Sequence, residues 1–435
     1  ILIIMTDIPE TFQSGYPLLH HFEKEAAYPL SIIVQRGNAL SFTYHTKISE
    51  DREKNYFYLK KIILSLLWIV GGNRILFNGK EEYIEDFIKK IKEDSEFDTT
   101  KKEMERMFHL PFLLEKTDKE YKDIFSSFQV SGSQDGSRIG LDLGGSDRKV
   151  TAIKDGQILF QEEDLWSPKE ENDIQYHYQG ILDSLKKAVS HLGKVDSIGI
   201  STSGILEKNR YLQATLFKSV VQKDRIPNFF IDFMKKEYPD IPYTILNDGD
   251  VSALYGSLLY KKGSFLGIAM GTSLGGGYIQ EGNSFNGWIC EIGKIPIDYS
   301  PSAFSHYSMK IKGAGSEYLS QKGIIRILES RGFPLSGSLP EKLVTIQNEA
   351  EQGNETVLDA YRTFGKRLGT ALCLYHRFIP FENVVLLGRV TTGIGGEILM
   401  KNATDVLKKE KIEATIYLPD ENQRRLGQSY IASQL

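Results

Sequence analysis

The stretch Ile139-Gly-Leu-Asp-Leu-Gly-Gly-Ser146 contains the pattern that decides the fold class. It reads as a strand that ends in Gly144-Gly145-Ser146, and a second strand follows at Lys149–Lys154. Glycines at such a turn let backbone N–H groups approach an anion, because no Cβ stands in the way. Asp142, two residues before the glycines, could hold a magnesium ion beside phosphate groups. A plain hairpin whose glycines serve the turn explains this stretch equally well.

A second hairpin with the same order strengthens the phosphate interpretation. The stretch Leu266-Gly-Ile-Ala-Met-Gly-Thr-Ser-Leu-Gly-Gly-Gly-Tyr278 again reads as a strand, a glycine and hydroxyl turn, and a strand. Its five glycines are hard to explain by turn formation alone. Two such hairpins favour two similar lobes that grip one polyphosphate.

An acidic segment lies between the two hairpins, in Ile245-Leu-Asn-Asp-Gly-Asp-Val-Ser-Ala253. An apolar strand ends at Asn247-Asp248, and open α/β sheets place ligand chemistry at the carboxyl ends of their strands. A carboxylate there can accept the proton of a hydroxyl that attacks a phosphoryl group. Helix capping is the alternative role. Asp250 is the better capping candidate, so we assign the chemistry to Asp248.

Composition excludes several classes of protein. The 435 residues include 53 Lys+Arg and 57 Asp+Glu, so no basic footprint indicates a nucleic-acid partner. The best apolar run, Ile62–Val70, is shorter than the roughly 20 residues of a membrane-spanning helix. No secretory signal is evident in the short apolar run Ile1–Met5. Two cysteines, Cys290 and Cys373, are too few for a disulfide scaffold, which favours the cytoplasm.

Patterning divides the chain at a Gly/Ser-rich linker, Ser126–Ser137. The region before it predicts a small α/β unit with a hairpin at Leu30–Val34 and Leu40–Tyr44 and a buried helix at Tyr56–Ile69. It also predicts a short strand at Arg74–Phe77 and an amphipathic helix at Glu81–Ile91. That region has 18 Lys+Arg and 22 Asp+Glu up to residue 135, which argues against a DNA reader. Its role stays open, with dimerisation or protein interaction as options.

The region after the linker alternates strands and helices, which predicts an α/β fold. A third strand, Gln157–Gln161, is predicted directly after the first hairpin. The further predicted strands are Ser197–Ser201, Tyr243–Leu246, Leu266–Met270, Gly276–Gln280, Asn383–Leu387 and Ala414–Leu418. The predicted helices are Tyr176–Leu192, Asn228–Glu237, Ser252–Tyr260, Leu358–Phe378, Gly396–Lys409 and Gln423–Ser433.

The three motifs in this order resemble the sugar kinase, actin and heat-shock ATPase superfamily. More narrowly, the chain resembles the ROK (repressor, open reading frame, kinase) family of bacterial sugar kinases and repressors. The resemblance covers about residues 137–435 and includes Ser201-Thr-Ser-Gly204, Cys290-Glu-Ile-Gly-Lys294, Val384-Val-Leu-Leu-Gly388 and Leu426-Gly-Gln-Ser. It implies a two-lobed, actin-like (ribonuclease H-like) ATPase fold. Residues 137–255 with helix 423–433 would form the small lobe, residues 256–422 the large lobe, and residues 1–130 an extra α/β region.

The resemblance also implies a role for each matching residue. Asp248 would be the general base, and Asp142 would support Mg²⁺. The sugar would contact Asn247, Glu291, Lys294, Ser316 and Gly204. The phosphates and adenosine of ATP would contact Gly144, Gly145, Ser146, Gly271, Thr272, Gly388 and Arg389.

Departures from the family pattern fall in the sugar pocket. Lys294 stands where the family has a histidine that ligates zinc and touches sugar, and Asp298–Ser320 contains no cysteine, so we expect no zinc site. Ser316 stands where a sugar-binding glutamate is expected, with Glu317 one position away. Arg389 replaces a glycine of the adenosine loop.

These inferences predict an ATP-dependent kinase of a hexose-like sugar, acting as a cytoplasmic homodimer. The altered pocket favours an amino sugar, a disaccharide or a non-sugar polyol over plain glucose. Two alternatives stay open, a non-catalytic sugar sensor and a degenerate kinase that binds ATP without transferring phosphate.

Overall fold

The structure is a computed structural model that describes residues 12–420, 423 and 427–435. The chain divides into two compact units. Unit 1 comprises the described residues up to Ser126, together with Ile268–Gly275 and Cys290–Leu418. Unit 2 comprises Ser127–Gly267, Gly276–Ile289 and the described residues from Pro419 onward.

The N-terminal part of unit 1 is a four-stranded sheet with helices. The strand order is β2-β1-β3-β4, in which β1 is antiparallel to β2 and β3, and β3 is parallel to β4. The elements are α1 Gly15–Glu25, β1 Tyr28–Arg36, β2 Leu40–Ile48, α2 Arg52–Ile69, β3 Arg74–Gly79, α3 Glu81–Ile91, α4 Ser95–Phe108 and β4 Leu113–Lys116. The predicted hairpin is confirmed.

Helix α2 is buried on most of its faces, as the sequence predicts. It begins at Arg52, one turn before the predicted start at Tyr56. The reason is the Asp51 side chain, which accepts hydrogen bonds from the backbone N–H groups of Glu53 and Lys54 and so caps the helix. Its C-terminal half, from Lys61 to Ile69, is buried throughout. That burial makes α2 the central helix of the N-terminal part.

Unit 2 is built on a five-stranded sheet of order β12-β9-β6-β7-β8. Strand β6 is antiparallel to β7 and parallel to β9, and β9 is parallel to β12. The elements are β5 Phe128–Gln129, β6 Ser137–Leu143, β7 Asp147–Lys154, β8 Gln157–Leu165, α5 Ile174–Ser190, β9 Ser197–Thr202, β10 Ile205–Glu207, β11 Arg210–Gln213, α6 Phe229–Glu237, β12 Tyr243–Asn247 and α7 Asp248–Tyr260. Apolar residues of β6 and β9 pack with those of α5 and α6 in one core.

The remaining elements follow α7 and comprise a second sheet, one short further strand and several helices. A second four-stranded sheet has the order β14-β13-β16-β17, with β16 parallel to β17. The elements are β13 Phe265–Met270, β14 Leu274–Ile279, β15 Ser284–Phe285, α8 Gln321–Ser330, α9 Leu339–Glu351, α10 Glu355–His376, β16 Asn383–Leu387, α11 Gly393–Lys409, β17 Thr415–Tyr417 and α12 Gly427–Ala432. The predicted helix Gln423–Ser433 lies partly outside the described residues.

Four helices escape the sequence prediction, namely α1, α4, α8 and α9. In α4 only Phe97, Thr100, Met104 and Met107 are buried, one narrow stripe on an otherwise charged helix. Because this face contains so few apolar residues, the sequence of the segment is typical of a polar loop rather than of a helix. None of the described helices is long and apolar enough to cross a membrane.

Candidate active site

The carboxyl ends of three adjacent parallel strands form one edge of the sheet in unit 2. The register pairs Leu143 of β6 with Thr202 of β9, and Thr202 with Asn247 of β12. Asp142 therefore lies at the same edge as Asn247, with strand β9 between their two strands. Asp248 follows Asn247 directly, at the start of α7. The two acidic residues that the sequence analysis selected thus share one edge of one sheet.

Asp142 is a buried carboxyl group with an unusual pKa. Burial raises the pKa from 3.8 to about 6, although a hydrogen bond from Ser201 and the charge of Lys149 act in the opposite direction. Both partners lie opposite Asp142 in the sheet, Lys149 on β7 and Ser201 on β9. A single carboxylate at a strand end fits Mg²⁺, which keeps several of its waters when protein-bound.

The turn from Gly144 to Ser146 leaves its last two residues exposed. Gly144 closes the turn, since its N–H donates to the carbonyl of Asp147 at 2.9 Å and its carbonyl accepts from the Trp166 indole at 2.9 Å. A Cβ on Gly145 would lie 2.8 Å from the Nζ atom of Lys169. The glycine turn therefore has an ammonium group beside it, an arrangement suited to an anion.

The Asn247 side chain caps α7, which corrects the assignment of this role to Asp250. Its Oδ1 accepts a hydrogen bond from the Gly249 N–H at 2.7 Å, so α7 begins at Asp248 rather than at Ser252. Its Nδ2 donates to the carbonyl of Gly204 at 2.5 Å. One Nδ2 hydrogen and one Oδ1 lone pair remain for a ligand beyond these two bonds. The half-buried Asp248 is the first residue of the helix.

Gln428 of α12 links the two ends of this edge. Its Nε2 donates to the backbone carbonyl of Asp248 at 3.3 Å and to the Ser252 hydroxyl at 3.0 Å, and its Oε1 lies 3.4 Å from the Ser201 hydroxyl. Ser201 is also a hydrogen-bond partner of Asp142, so its hydroxyl group lies between the buried carboxyl group and Gln428, with one hydrogen that can serve only one of them at a time. These bonds fix the backbone on which the Asp248 side chain is carried.

In unit 1, the turn after β13 meets the N-terminus of α8. The Gln321 N–H, at the first residue of α8, donates to the carbonyl of Gly271 at 2.9 Å. Thr272 is exposed, and Cβ atoms on Gly271 or Gly275 would meet open space. A turn with open space at two glycines, beside the positive end of a helix, is a suitable cradle for phosphate.

Gly388 and Arg389 follow β16 in the same unit. Gly388 has φ +93°, and a Cβ there would lie 2.4 Å from the carbonyl oxygen of Met270, the last residue of β13. The nucleotide residues predicted at 271 and 388 therefore follow neighbouring strands. The Arg389 side chain is exposed, and its carbonyl accepts a hydrogen bond from Gln347 at 2.7 Å.

Two of the five glycines in the second hairpin have a packing role rather than a phosphate role. A Cβ on Gly267 would lie 2.3 Å from the Ala253 nitrogen, and one on Gly277 would lie 2.4 Å from the Asp250 nitrogen. Both glycines allow the strands to approach the backbone of α7. The number of glycines in this hairpin is therefore weaker evidence for a phosphate site than the sequence suggested. Only the glycines that do not pack against α7 can serve a ligand.

Glu291 and Lys294 form an ion pair in unit 1. The Lys294 Nζ atom lies 3.1 Å from Glu291 Oε2 and 4.2 Å from the centre of the Trp68 ring. The Glu291 side chain is 25% exposed and that of Lys294 is 12% exposed. A Cβ on Gly293, within the same loop, would lie 2.3 Å from the Leu274 carbonyl, so this loop packs against the turn after β13.

Ser316 and Glu317 are both buried, with different surroundings. Glu317 pairs with Arg326 at 2.8 Å and with Lys322 at 3.3 Å. The Ser316 hydroxyl makes no hydrogen bond to any of the described residues. The neighbouring Gly315 lies close to Ile292, because a Cβ there would be 3.2 Å from that carbonyl oxygen. Ser316 thus lies beside the loop that carries Glu291, whereas two cations already neutralise Glu317.

His306 lies near the same charged groups and is held neutral. Burial, followed by the charge of Lys294, lowers its pKa to about 4, and Nδ1 accepts a hydrogen bond from the Met309 N–H at 3.1 Å. Both observations give His306 a structural role. Cys290 and Cys373 are buried free thiols. Within residues 12–420, 423 and 427–435, no three His, Cys, Asp or Glu side chains are placed to share a metal ion.

Three residues of these surroundings escape the sequence analysis: Lys169, Gln428 and Trp68. Lys169 lies in the irregular segment between β8 and α5, and Trp68 lies in an apolar helix, so neither stands in a motif. Gln428 falls within the closing Leu426-Gly-Gln-Ser match, which was the available signal.

Known protein structures share this fold. A ROK family glucokinase from Streptomyces griseus, solved with glucose and AMPPNP, is 19% identical with a TM-score of 0.51, covering 68% of this chain and 98% of that chain. The ROK hexokinase from Thermus thermophilus is 16% identical with a TM-score of 0.53, covering 68% and 97%. A ROK family transcriptional regulator, a homologue of the E. coli MLC protein, is 17% identical with a TM-score of 0.55, covering 68% and 78%. These likenesses confirm the two-lobed, actin-like ATPase fold.

No curated protein sequence matches the chain significantly. The sequence profile of the ROK family, in contrast, matches residues 138–414, well over half of the chain. That match leaves the N-terminal four-stranded sheet outside the family region. From this match and the shared fold, we conclude that the chain belongs to the ROK family.

Proposed function

We propose that this protein is an ATP-dependent kinase that phosphorylates a hydroxyl group of a sugar or a related polyol. The observation that carries the proposal is the sheet edge in unit 2, where Asp142 lies near the carboxyl end of β6 and Asp248 follows β12, with only β9 between the two strands. Family membership adds support, because solved relatives include a glucokinase with bound glucose and AMPPNP. The division into an extra N-terminal region and two lobes remains part of this proposal.

Asp248 is the proposed general base. As the acceptor oxygen forms its bond to the γ-phosphorus, the Asp248 carboxylate takes the hydroxyl proton, and the bond between the γ-phosphorus and the bridging oxygen breaks to release ADP. The bond from Gln428 to the Asp248 carbonyl keeps the start of α7 in place. Asn247 orients the acceptor with the Nδ2 hydrogen that its bond to Gly204 leaves available.

Each unit offers a turn that is suited to a phosphate group. The turn at Gly144, Gly145 and Ser146, with Lys169 beside it, supplies N–H groups and one cation. The turn at Gly271 and Thr272 offers open space at the N-terminus of α8, and Gly388 and Arg389 would border the adenosine. Asp142 would hold Mg²⁺, which when bound neutralises charge on the transferred phosphoryl group.

The proposed acceptor ligands are Glu291, Lys294 and Ser316 in unit 1, and Gly204 in unit 2. The unpaired Ser316 hydroxyl is buried and would gain a partner from a polar ligand. Lys294 and Ser316 depart from the family pattern, so these positions offer polar contacts other than those expected for plain glucose. Amino sugars, disaccharides and non-sugar polyols are therefore the first acceptors to examine.

A non-catalytic sensor or a degenerate kinase is the second candidate, and one observation favours it. The Glu291 carboxylate is already paired with Lys294 at 3.1 Å, so a sugar must compete for it. A transcriptional regulator also shares the fold. The test is ADP release from Mg–ATP across a panel of sugars and polyols. One strongly stimulating acceptor supports the kinase, whereas ATP binding without any stimulated turnover supports the second candidate.

A further inference from the structure

The C-terminal end of α2 meets the loop Cys290–Lys294 within unit 1. The last carbonyl groups of a helix have no partner inside the helix and need one from elsewhere. In α2, the Trp68 carbonyl accepts a hydrogen bond from the Glu291 N–H at 2.8 Å, and the Ile69 carbonyl accepts one from the Cys290 N–H at 2.9 Å. The loop that carries the proposed sugar ligands therefore satisfies the end of α2.

The carbonyls that follow are held by Arg36, which is itself buried. Its guanidinium donates to the carbonyl of Val70 at 2.5 Å and to that of Gly71 at 3.2 Å. Four consecutive carbonyls, from Trp68 to Gly71, thus have donors outside α2. Since each would be costly to leave unpaired in the interior, the end of α2 is fixed in position.

The side chain of Trp68 adds a second contact to the same loop. Its fully buried ring lies 4.2 Å from the Lys294 ammonium, which is within the range of a cation–π interaction. Lys294 in turn pairs with the Glu291 carboxylate. The ring therefore sets the position of the cation, and the cation sets the position of the carboxylate.

The N-terminal region contacts the chain beyond this loop at further points. The Gly15 N–H donates to the Ile297 carbonyl at 3.0 Å, and the Tyr299 N–H donates to the Gln13 carbonyl at 2.8 Å. The Lys312 N–H donates to the Glu96 carboxylate at 2.8 Å. The segment from residue 290 to 312 is thus held along its length by residues that the family profile does not cover.

From these contacts we infer that the N-terminal region is a positioning module for the acceptor pocket, with Trp68 as its positioning residue. The inference rests on the proposed function, because it gives Glu291 and Lys294 their role as acceptor ligands. It assigns a role to a part of the chain that carries no catalytic motif. Removal of the Trp68 ring should weaken acceptor binding while the nucleotide turns keep their structure.

The kinetic test compares Trp68→Leu with Phe87→Leu. Phe87 is a matched control, since it is an equally buried aromatic residue of the N-terminal region that packs on Phe77 and Tyr56. Trp68→Leu should raise the KM of the acceptor roughly 3- to 30-fold, which corresponds to the loss of one cation–π interaction. The KM of ATP should stay nearly unchanged. Trp68→Phe, which retains an aromatic face, should restore most of the affinity. Equal KM values in Trp68→Leu and Phe87→Leu would overturn the inference.

Amide hydrogen exchange tests the same inference without any activity. In the unaltered protein, the Cys290 and Glu291 amides should exchange slowly, unlike that of the exposed Thr272, and Trp68→Leu should accelerate them more than Phe87→Leu does. Fast exchange at both amides in the unaltered protein would overturn the positioning role even if the variant fails to fold. If no acceptor is phosphorylated while both amides are protected, the proposed function fails, but the N-terminal region still holds the loop Cys290–Lys294 in position.

Discussion

Ser201 of β9 donates a hydrogen bond to the carboxyl group of Asp142, which lies opposite it on β6. This bond favours the ionised carboxylate, yet burial outweighs it and raises the pKa to about 6. A carboxyl group whose pKa is higher in the folded than in the unfolded protein stabilises the fold below the unfolded pKa. That contribution is lost as the pH rises through about 6. The two pKa values, 3.8 and about 6, differ by the equivalent of roughly 3 kcal/mol.

Asp142→Asn should therefore stabilise the ligand-free protein at neutral pH. The amide removes the cost of an ionised group in the interior, and its oxygen still accepts the Ser201 bond. Thermal unfolding should show a higher midpoint for the variant at about pH 7.5 and little difference near pH 4, where Asp142 is largely protonated. The exposed Asp240 provides the control, since Asp240→Asn should change neither midpoint. A lower midpoint for Asp142→Asn at neutral pH would contradict the pKa argument.

The same carboxyl group predicts a pH dependence for nucleotide binding. The proposed magnesium ligand Asp142 must be ionised to bind the ion, so the affinity for Mg–ATP should fall as the pH drops through about 6, whereas binding of ATP in EDTA should change much less. Calorimetric titration across this range measures both. In Asp142→Asn the difference between Mg²⁺ and EDTA should shrink sharply. A magnesium effect of unchanged size in that variant would place the metal elsewhere.

Lys169 should contribute to ATP binding, because its ammonium lies beside the glycine turn. Lys169→Gln removes the proposed charged hydrogen bond to phosphate and should raise the KM of ATP roughly 10-fold, with the acceptor KM nearly unchanged. Lys169→Arg should keep most of the affinity. Lys154→Gln, at the exposed end of β7, is the matched control. Similar kinetics for Lys169→Gln and Lys154→Gln would exclude the phosphate contact.

Gly388 should not tolerate a side chain. Gly388→Ala combines an unfavourable φ of +93° with a Cβ placed 2.4 Å from the Met270 carbonyl oxygen, so we expect a loss of about 2–4 kcal/mol in stability and weaker ATP binding. Gly353 has a comparable φ of +78° with no atom within 4 Å of a Cβ. Gly353→Ala should therefore cost only about 1 kcal/mol. Denaturant unfolding measures the loss of stability in both variants and so separates the cost of the positive φ from the cost of the steric clash with Met270. Equal losses of stability in the two variants would show that the clash contributes nothing.

The sequence predicts those parts of the site that depend on local chemistry. The strand before Gly144, the strand end at Asn247 and the strand Asn383–Leu387 follow from apolar runs that stop at glycine or polar residues. The cap of α7 was assigned wrongly, because Asn247 and Asp250 are both good capping residues and only the structure shows where the helix begins.

Contacts that join distant segments could not be read from the sequence. Lys169 reaches Gly145 through the fold of an irregular segment, and Trp68 reaches Lys294 across more than 200 residues of chain. The close approach of Gly267 and Gly277 to α7 is of the same kind, since a glycine needed for packing and one needed for phosphate look identical in a sequence. Local motifs therefore located the sheet edge that we propose as catalytic, whereas the residues that surround it required the three-dimensional structure.

The most direct measurement is the rate of phosphoryl transfer to the best acceptor by Asp248→Asn, compared with Asp240→Asn. The account predicts that Asp248→Asn loses about 10²- to 10⁴-fold in kcat, the usual contribution of a general base, while ATP affinity and Asp240→Asn activity stay near those of the unaltered protein. Transfer by Asp248→Asn at close to the unaltered rate would contradict the central claim that Asp248 is the base.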